Sequence, residues 1–254
     1  MKRAEQALAE ARHSAADEAT LADRNKQLLH VTHELRNPMH GVVWMTSMLI
    51  MSDLDERQRE YLNLAHSSAR MALNLCNDVL DLAKLDAGKF ELKAAAVDLH
   101  ALVAECAAVF TVPAQAKGVS LRWHCDPALP TPLLGDGLRL QQVLMNLLSN
   151  ATKFTERGRI DLAVSWLGGD AAAGAATVRL SVSDTGPGLP EELMPRLFQE
   201  FEQARHPSPA SQTGAGLGLA LCRQFVHLMG GKIGVDNRPG QGCTFWCLLP
   251  LPAA

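Results

Sequence analysis

The chain has 254 residues, enough for one large domain or two modest ones. Hydrophobic residues make up 47% and charged residues 20%, the balance of a protein that can bury a core. A net charge of −3 gives no bulk electrostatic reason to expect nucleic acid or a membrane surface as partner. The opening "MKRAEQALAEARHSAADEA" is polar and helical in pattern, unlike a secretory signal. No apolar run is expected to reach the ~18–20 residues of a membrane span. The cysteines (Cys76, Cys106, Cys125, Cys222, Cys243, Cys247) form no CxxC pair and no zinc spacing. They read as reduced core thiols of a cytosolic chain.

From Arg3 to about Ile50 the chain is rich in Ala, Glu, Leu and Arg, broken only by Pro38 and Gly41, and Leu21, Leu28 and Leu35 recur every seven residues. "MSDLDERQ" predicts a turn with an acidic start to a second helix, from about Glu56 to Ala87. There Leu62, Ala69, Cys76 and Ala83 form one heptad row, Ala65, Ala72 and Val79 a second, and Leu73 and Leu80 a third. A lone helical hairpin cannot bury so wide a face; pairing two hairpins into a four-helix bundle can.

Gly88 is expected to end this helix, and short alternating segments follow. "VSLRWHC" (119–125) predicts a strand, and 136–154 a helix whose acidic first residue suits its dipole. "GRIDLAVSWL" and "ATVRLSVSD" predict two strands, while "KIGVDN" and "CTFWCLLPL" predict a hairpin across "RPGQG". The second half therefore reads as an α+β sandwich, one mixed sheet with helices on one face, beginning near residue 90.

Three stretches of this half carry chemistry. In "DTGPGLP" (184–190), Asp184 ends a strand, and Gly186 and Gly188 let the backbone approach a ligand. A carboxylate there can accept from an exocyclic amine such as adenine N6. In "TGAGLGLAL" (213–221), Gly214, Gly216 and Gly218 open an apolar helix, which offers free amides and a positive dipole end to phosphate. In "NLLSNATK", Asn146 and Asn150 share one helical face and Lys153 lies a turn further. Two amides and an ammonium suit Mg2+ and the phosphates it carries, because Mg2+ takes oxygen ligands and leaves room for phosphate oxygens.

In this order these pieces resemble a sensor histidine kinase of the two-component type, over nearly the whole chain. "THELRNP" resembles the phosphoacceptor box of that family, "NLLSNATKF" its N box, and "DTGPGLP" its first glycine box. "LFQEFEQ" (197–203) resembles its phenylalanine box, "GAGLGLAL" its second glycine box, and "GGKIGVDNRPGQGCTFWCLLP" its terminal strand pair. The resemblance implies an α-helical hairpin that dimerises as a four-helix bundle, followed by an α+β sandwich ATP-binding domain of the gyrase and Hsp90 fold. It divides the chain into a helical connector (1–28), a dimerisation and phosphotransfer domain (29–89) and an ATP-binding domain (90–254). It implies ATP and Mg2+, a homodimer, and a response-regulator receiver, separate or fused. It implies no nucleic acid, a cytoplasmic location, and a membrane only through parts beyond this chain.

The resemblance assigns His33 as the phosphoacceptor, Glu34 as its base, and Asn37 as a residue that orients water for removing phosphate from the partner. Pro38 lacks an N–H, and its ring clashes with the Glu34 carbonyl, so the backbone beside His33 is expected to be kinked. His30 and His40 read as surface residues. In the second half the implied roles are Asn150 as magnesium ligand, Asn146 and Lys153 as phosphate-side contacts, and Asp184 as adenine recognition. Gly186, Gly188, Gly214, Gly216 and Gly218 would shape the pocket. The lid "ARHPSPASQT" (204–213) departs from the family in having Arg205 as its only strong cation, and Ala215 stands where many relatives have Thr. Asn146 takes the position where ATPases of this fold carry a water-activating Glu, which favours transfer to His33 over hydrolysis. A regulatory module without catalysis and an ATP-driven clamp are the competing readings.

Overall fold

A computed structural model describes Thr32, 34–169, 177–202 and 216–253. The connector, His30, His33, Gly214 and the lid at 204–213 lie outside the described residues. The chain divides into two compact units, Met1–Phe90 and Glu91–Ala254.

In the first unit, helix α1 runs through 34–50, with Pro38 inside it, and helix α2 spans Glu56–Asp86. The acidic start read from the sequence is a capping box. The Asp55 carboxylate accepts from the Gln58 N–H at 2.8 Å, and the Gln58 side chain accepts from the Asp55 N–H at 3.1 Å. At the other end Gly88, at φ 62°, follows the last turn in a left-handed conformation that a β-carbon would disfavour. A polar link joins the helices. Thr46, buried, donates to the Val42 carbonyl, and its oxygen lies 2.8 Å from His66 Nδ1. Ala69, Leu80 and Ala83 are buried within the hairpin, but Trp44, Met48, Leu64 and Met71 are exposed.

In the second unit, a five-stranded sheet has the order β2-β4-β5-β7-β6. Its strands are β2 Val119–Cys125, β4 Gly158–Trp166, β5 Thr177–Asp184, β6 Lys232–Arg238 and β7 Gly242–Pro250. β2 and β4 are parallel and the other pairs antiparallel, so the sheet is mixed. A small ladder pairs β1 (Ala95–Val97) with β3 (Leu133–Gly135). Helices α3 (Leu99–Ala116), α4 (Gly137–Phe154) and α5 (Gly218–Leu228) pack against the sheet and one another. Alternation along the strands builds the core: Ile160, Leu162, Val164, Val178, Leu180, Val182, Phe245, Cys247 and Leu249 are buried. They meet Leu140, Val143, Leu144, Leu147 and Leu148 of α4, spaced three and four apart on one helical face.

Helix α3 corrects two sequence expectations. The region after Gly88 holds this long helix, not only short alternating segments. It is also long and apolar enough, by length and composition, to cross a membrane. Here it is a core helix on β2 and α4, with Leu99, Val103, Cys106, Ala107 and Ala114 buried. Its start is set by Asp98, whose carboxylate accepts from the His100 and Ala101 N–H groups. The cysteines are all free, and every one but Cys76 is buried.

Candidate nucleotide site

Helix α4 is the rail along which the candidate residues of the second unit are arranged. Its first turn is tied down by Asp136, whose carboxylate accepts from the Arg139 N–H at 3.1 Å and from the Lys93 N–H at 2.8 Å. Its last turn is capped from outside: Lys117 Nζ donates to the Thr152 carbonyl at 2.7 Å and the Lys153 carbonyl at 3.2 Å. A cation on those carbonyls also suits the negative end of the helix dipole.

The start of the face meets the second glycine box. A β-carbon on Gly218 would collide with the Asn146 carboxamide, so α5 begins directly against that side chain. Leu217, the N-cap of α5, makes no side-chain cap bond, which leaves first-turn amides to be satisfied from outside the helix. Gly216, at φ 73°, would clash through a β-carbon with the backbone of Phe201 and Glu202. That contact brings the phenylalanine box onto the glycine loop. Phe201 itself has φ 60°, a strained value for a non-glycine residue.

The far end of α4 meets the first glycine box. A β-carbon on Gly186 would press on the Phe154 carbonyl and on Asp184 Oδ1. Asn150 lies one turn from Asn146 and one turn from Phe154, between the two glycine contacts. Lys153 is half-buried, with Nζ 4.9 Å from the centroid of the Phe154 ring, and burial lowers its pKa.

Asp184 closes β5 and is gripped from two sides. Its Oδ1 accepts from the Gly186 N–H at 2.8 Å, and its Oδ2 accepts from the Cys243 thiol at 3.1 Å. Burial, with the Asp184 charge beside it, pushes the Cys243 thiol far above its ordinary range, so it stays protonated and donates. Gly242, the first residue of β7, packs so close that a β-carbon would overlap the Asp184 carbonyl. By sequence Cys243 reads only as a core thiol. Its signal was its place in "GQGC", one residue after a glycine that the neighbouring strand end requires.

The donor set fits the groups expected here. A phosphate chain can meet the open amides at α5, and an amine can meet the Asp184 carboxylate. Asn150 presents an oxygen suited to Mg2+. Among the described residues no group of three or more His, Cys, Asp or Glu could hold a metal.

In the first unit, Glu34, Asn37 and Pro38 are exposed on α1, and His40 is exposed two turns beyond His33. The structure brings together Asn146 with Gly218 and Asp184 with Gly186. Asn150 and Lys153 lie on α4 between Asn146 and Phe154, the residues that meet Gly218 and Gly186.

Comparison with known proteins agrees with both halves. Residues 23–88 match the His Kinase A (phospho-acceptor) domain. Residues 135–253 match the family described as histidine kinase-, DNA gyrase B- and HSP90-like ATPase. The chain is 39% identical over 242 residues to Sensor protein GacS of Pseudomonas syringae pv. syringae, covering 94% of this chain and 26% of GacS. It is 37% identical over 225 residues to the signal transduction histidine-protein kinase BarA of Escherichia coli K12, covering 88% of this chain and 24% of BarA. The chain thus spans about a quarter of the length of these relatives. Among solved structures, full-length ShkA in complex with AMPPNP matches with a TM-score of 0.71 and 38% identity, over 90% of this chain and 46% of that one. A helical hairpin followed by this ATPase sandwich, matched along both halves, makes the chain a member of the sensor histidine kinases and places it at their catalytic core.

Proposed function

We propose that the chain is an ATP-dependent autokinase that phosphorylates His33 and passes the phosphoryl group to an aspartate of a response-regulator receiver. The observation that carries the nucleotide half is Asn146 seated against Gly218 at the start of α5, with Asp184 held as an acceptor at the head of the loop that meets the last turn of α4. A neutral imidazole nitrogen of His33 attacks the γ-phosphorus, and Glu34 holds the proton on the other ring nitrogen. Positioning and electrostatics supply most of the catalysis in phosphoryl transfer. Bound Mg2+ would neutralise charge developing on the phosphates, with Asn150 as its ligand from this chain. Asn146 and Lys153 sit on the phosphate side, and Asp184 accepts from the adenine amine. An amide at position 146 cannot act as a base toward water, which favours transfer to His33 over hydrolysis. The kinase works in the cytoplasm.

Incubation with γ-labelled ATP tests this reading. Acid-labile, base-stable label on the protein supports it. Free phosphate without label would instead indicate an ATP-driven clamp, and neither product a regulatory module.

The phosphotransfer unit works as a homodimer. Trp44 (66% exposed), Met48 (55%) and Leu64 (66%) are exposed on a single hairpin, and a second copy would cover them together with the heptad rows of α2. Light scattering at micromolar concentration is expected to give twice the chain mass; a monomer mass would refute this.

Asn37→Ala is expected to spare labelling of His33 and to slow loss of label from a pre-phosphorylated receiver. Asn37 is exposed one turn beyond His33, where its amide can hold a water in line with a docked phosphoaspartate. If both reactions fall together, the substitution has damaged the helix near Pro38. If the receiver loses label at the wild-type rate, Asn37 has no part in the reaction.

A further inference from the structure

The first glycine loop is anchored to the C-terminal hairpin by one side chain, Asn237, which has no role in the site described above. Asn237, near the end of β6, faces Leu189 with its whole carboxamide. The Leu189 N–H donates to Asn237 Oδ1 at 2.8 Å, and Asn237 Nδ2 donates to the Leu189 carbonyl at 2.8 Å. The pair mimics a rung of a β-ladder, with a side chain in place of a strand. Beside it, the Gly240 N–H donates to the Pro187 carbonyl at 2.8 Å. Gly188, at φ 72°, lies so close that a β-carbon would press on the Arg238 carbonyl and on Asn237 Oδ1.

The sheet register explains why this side chain can reach the loop. Asn237 pairs directly with Cys243 across β6 and β7, so both side chains point to the same face. Ser183 pairs with Thr244, which puts Asp184 one step along, beside Cys243. Asp184, Cys243 and Asn237 thus form a polar row across three adjacent strands, at the end of an apolar face. Cys243 holds the carboxylate; Asn237 holds the loop that leaves it. A free loop after Asp184 would have to be ordered whenever a ligand binds, at an entropic cost.

We propose that Asn237 is a positioning residue for nucleotide binding: its two-point bridge to Leu189 pre-orders the first glycine loop and so aims Asp184, without touching the nucleotide. The proposal rests on the reading of Asp184 as the purine contact. Preorganisation of this kind enters affinity rather than the chemical step, because the loop it orders carries the residue assigned to the purine. Losing two neutral hydrogen bonds at a loop is expected to weaken binding by about tenfold.

The test uses the full chain with Asn237→Ala and Asn237→Asp, measuring dissociation of a non-hydrolysable ATP analogue, label at saturating ATP, thermal unfolding and exchange of the Leu189 amide. Asn237→Ala is expected to raise Kd about tenfold and leave label formation at saturation within about twofold. Asn237→Asp keeps the volume but sets a carboxylate oxygen against the Leu189 carbonyl, so it is expected to lose at least as much. Wild type without nucleotide is expected to protect the Leu189 amide, and Asn237→Ala to release it. Unchanged Kd in folded variants, or equal loss of Kd and of label at saturation, would overturn the proposal. So would an unprotected Leu189 amide in wild type, a measurement that does not depend on either variant folding. Asp184→Asn in the same series keeps the two ideas apart. If that variant binds the analogue like wild type, the placement of the purine fails; if it does not bind while Asn237→Ala binds normally, only the role of Asn237 fails.

Discussion

His33→Ala is expected to abolish all ATP-derived label on the chain while leaving nucleotide affinity within about twofold. The label must vanish completely because alanine has no lone pair to offer phosphorus, and splitting transfer through a covalent phosphohistidine needs that nucleophile. The neighbouring histidines are poor substitutes. His40 is exposed on α1 but lies two helical turns further, about 10 Å along the axis, far outside the ~3–3.5 Å a near-attack geometry requires. Affinity should survive because the residues assigned to nucleotide lie beyond Glu91, in the other compact unit. The measurement is a pair: acid-labile, base-stable label from γ-labelled ATP, and equilibrium binding of a non-hydrolysable analogue. Residual label in the variant would move the phosphoacceptor to His30 or His40. Loss of binding together with label would mean that the substitution acts on the fold, not on the nucleophile.

Much of the second unit was legible because its signals are local. Strand β2 is the stretch "VSLRWHC", and α4 starts behind Asp136, whose carboxylate accepts the Arg139 N–H as an N-cap should. The β6–β7 hairpin turns across "RPGQG", as its glycines suggested. Helix α3 escaped because its exposed side is almost as apolar as its buried side: Val109 and Val112 face outward while Val103 and Cys106 are buried. Such a helix has little polar face, so its period is faint. The β1–β3 ladder escaped for another reason, since Ala95 and Gly135 are paired across forty residues of chain and neither segment has a strong pattern.

The candidate site shows the same division. Glycines announce that backbone must come close, but not to what. The structure supplies the partners: Gly218 to Asn146, Gly186 to the Phe154 carbonyl, Gly242 to the Asp184 carbonyl. Cys243 and Asn237 act on residues 59 and 48 positions away, respectively. A local window offers only the preceding Gly242 as a mark of Cys243, and nothing that sets Asn237 apart from an ordinary strand residue.

Asp184→Asn is expected to weaken ATP binding by roughly a hundredfold and to close the gap between ATP and inosine triphosphate. In the native site both carboxylate oxygens already accept from the protein, Oδ1 from Gly186 and Oδ2 from Cys243. Their remaining lone pairs form a wall of acceptors, which an adenine amine satisfies and a hypoxanthine carbonyl does not. The asparagine can keep its oxygen on the Gly186 N–H. Its NH2 then faces the Cys243 thiol and the incoming amine, donor against donor. A hydrogen bond to a charged group is worth ~1.5–3 kcal/mol, about ten- to a hundredfold in affinity, and leaving a donor unpaired adds to the loss. Inosine triphosphate presents a carbonyl oxygen at the position of the amine, so the new NH2 can donate to it while it opposes the amine of ATP. Sites built to pair a particular polar group discriminate strongly against its absence, and the preference should follow the residue. Competition of both nucleotides against a fluorescent analogue, with thermal unfolding as a check on folding, reads the two affinities on one scale. If ATP and inosine triphosphate weaken by the same factor, Asp184 supports the pocket without reading the base; if ATP binds normally, the purine lies elsewhere.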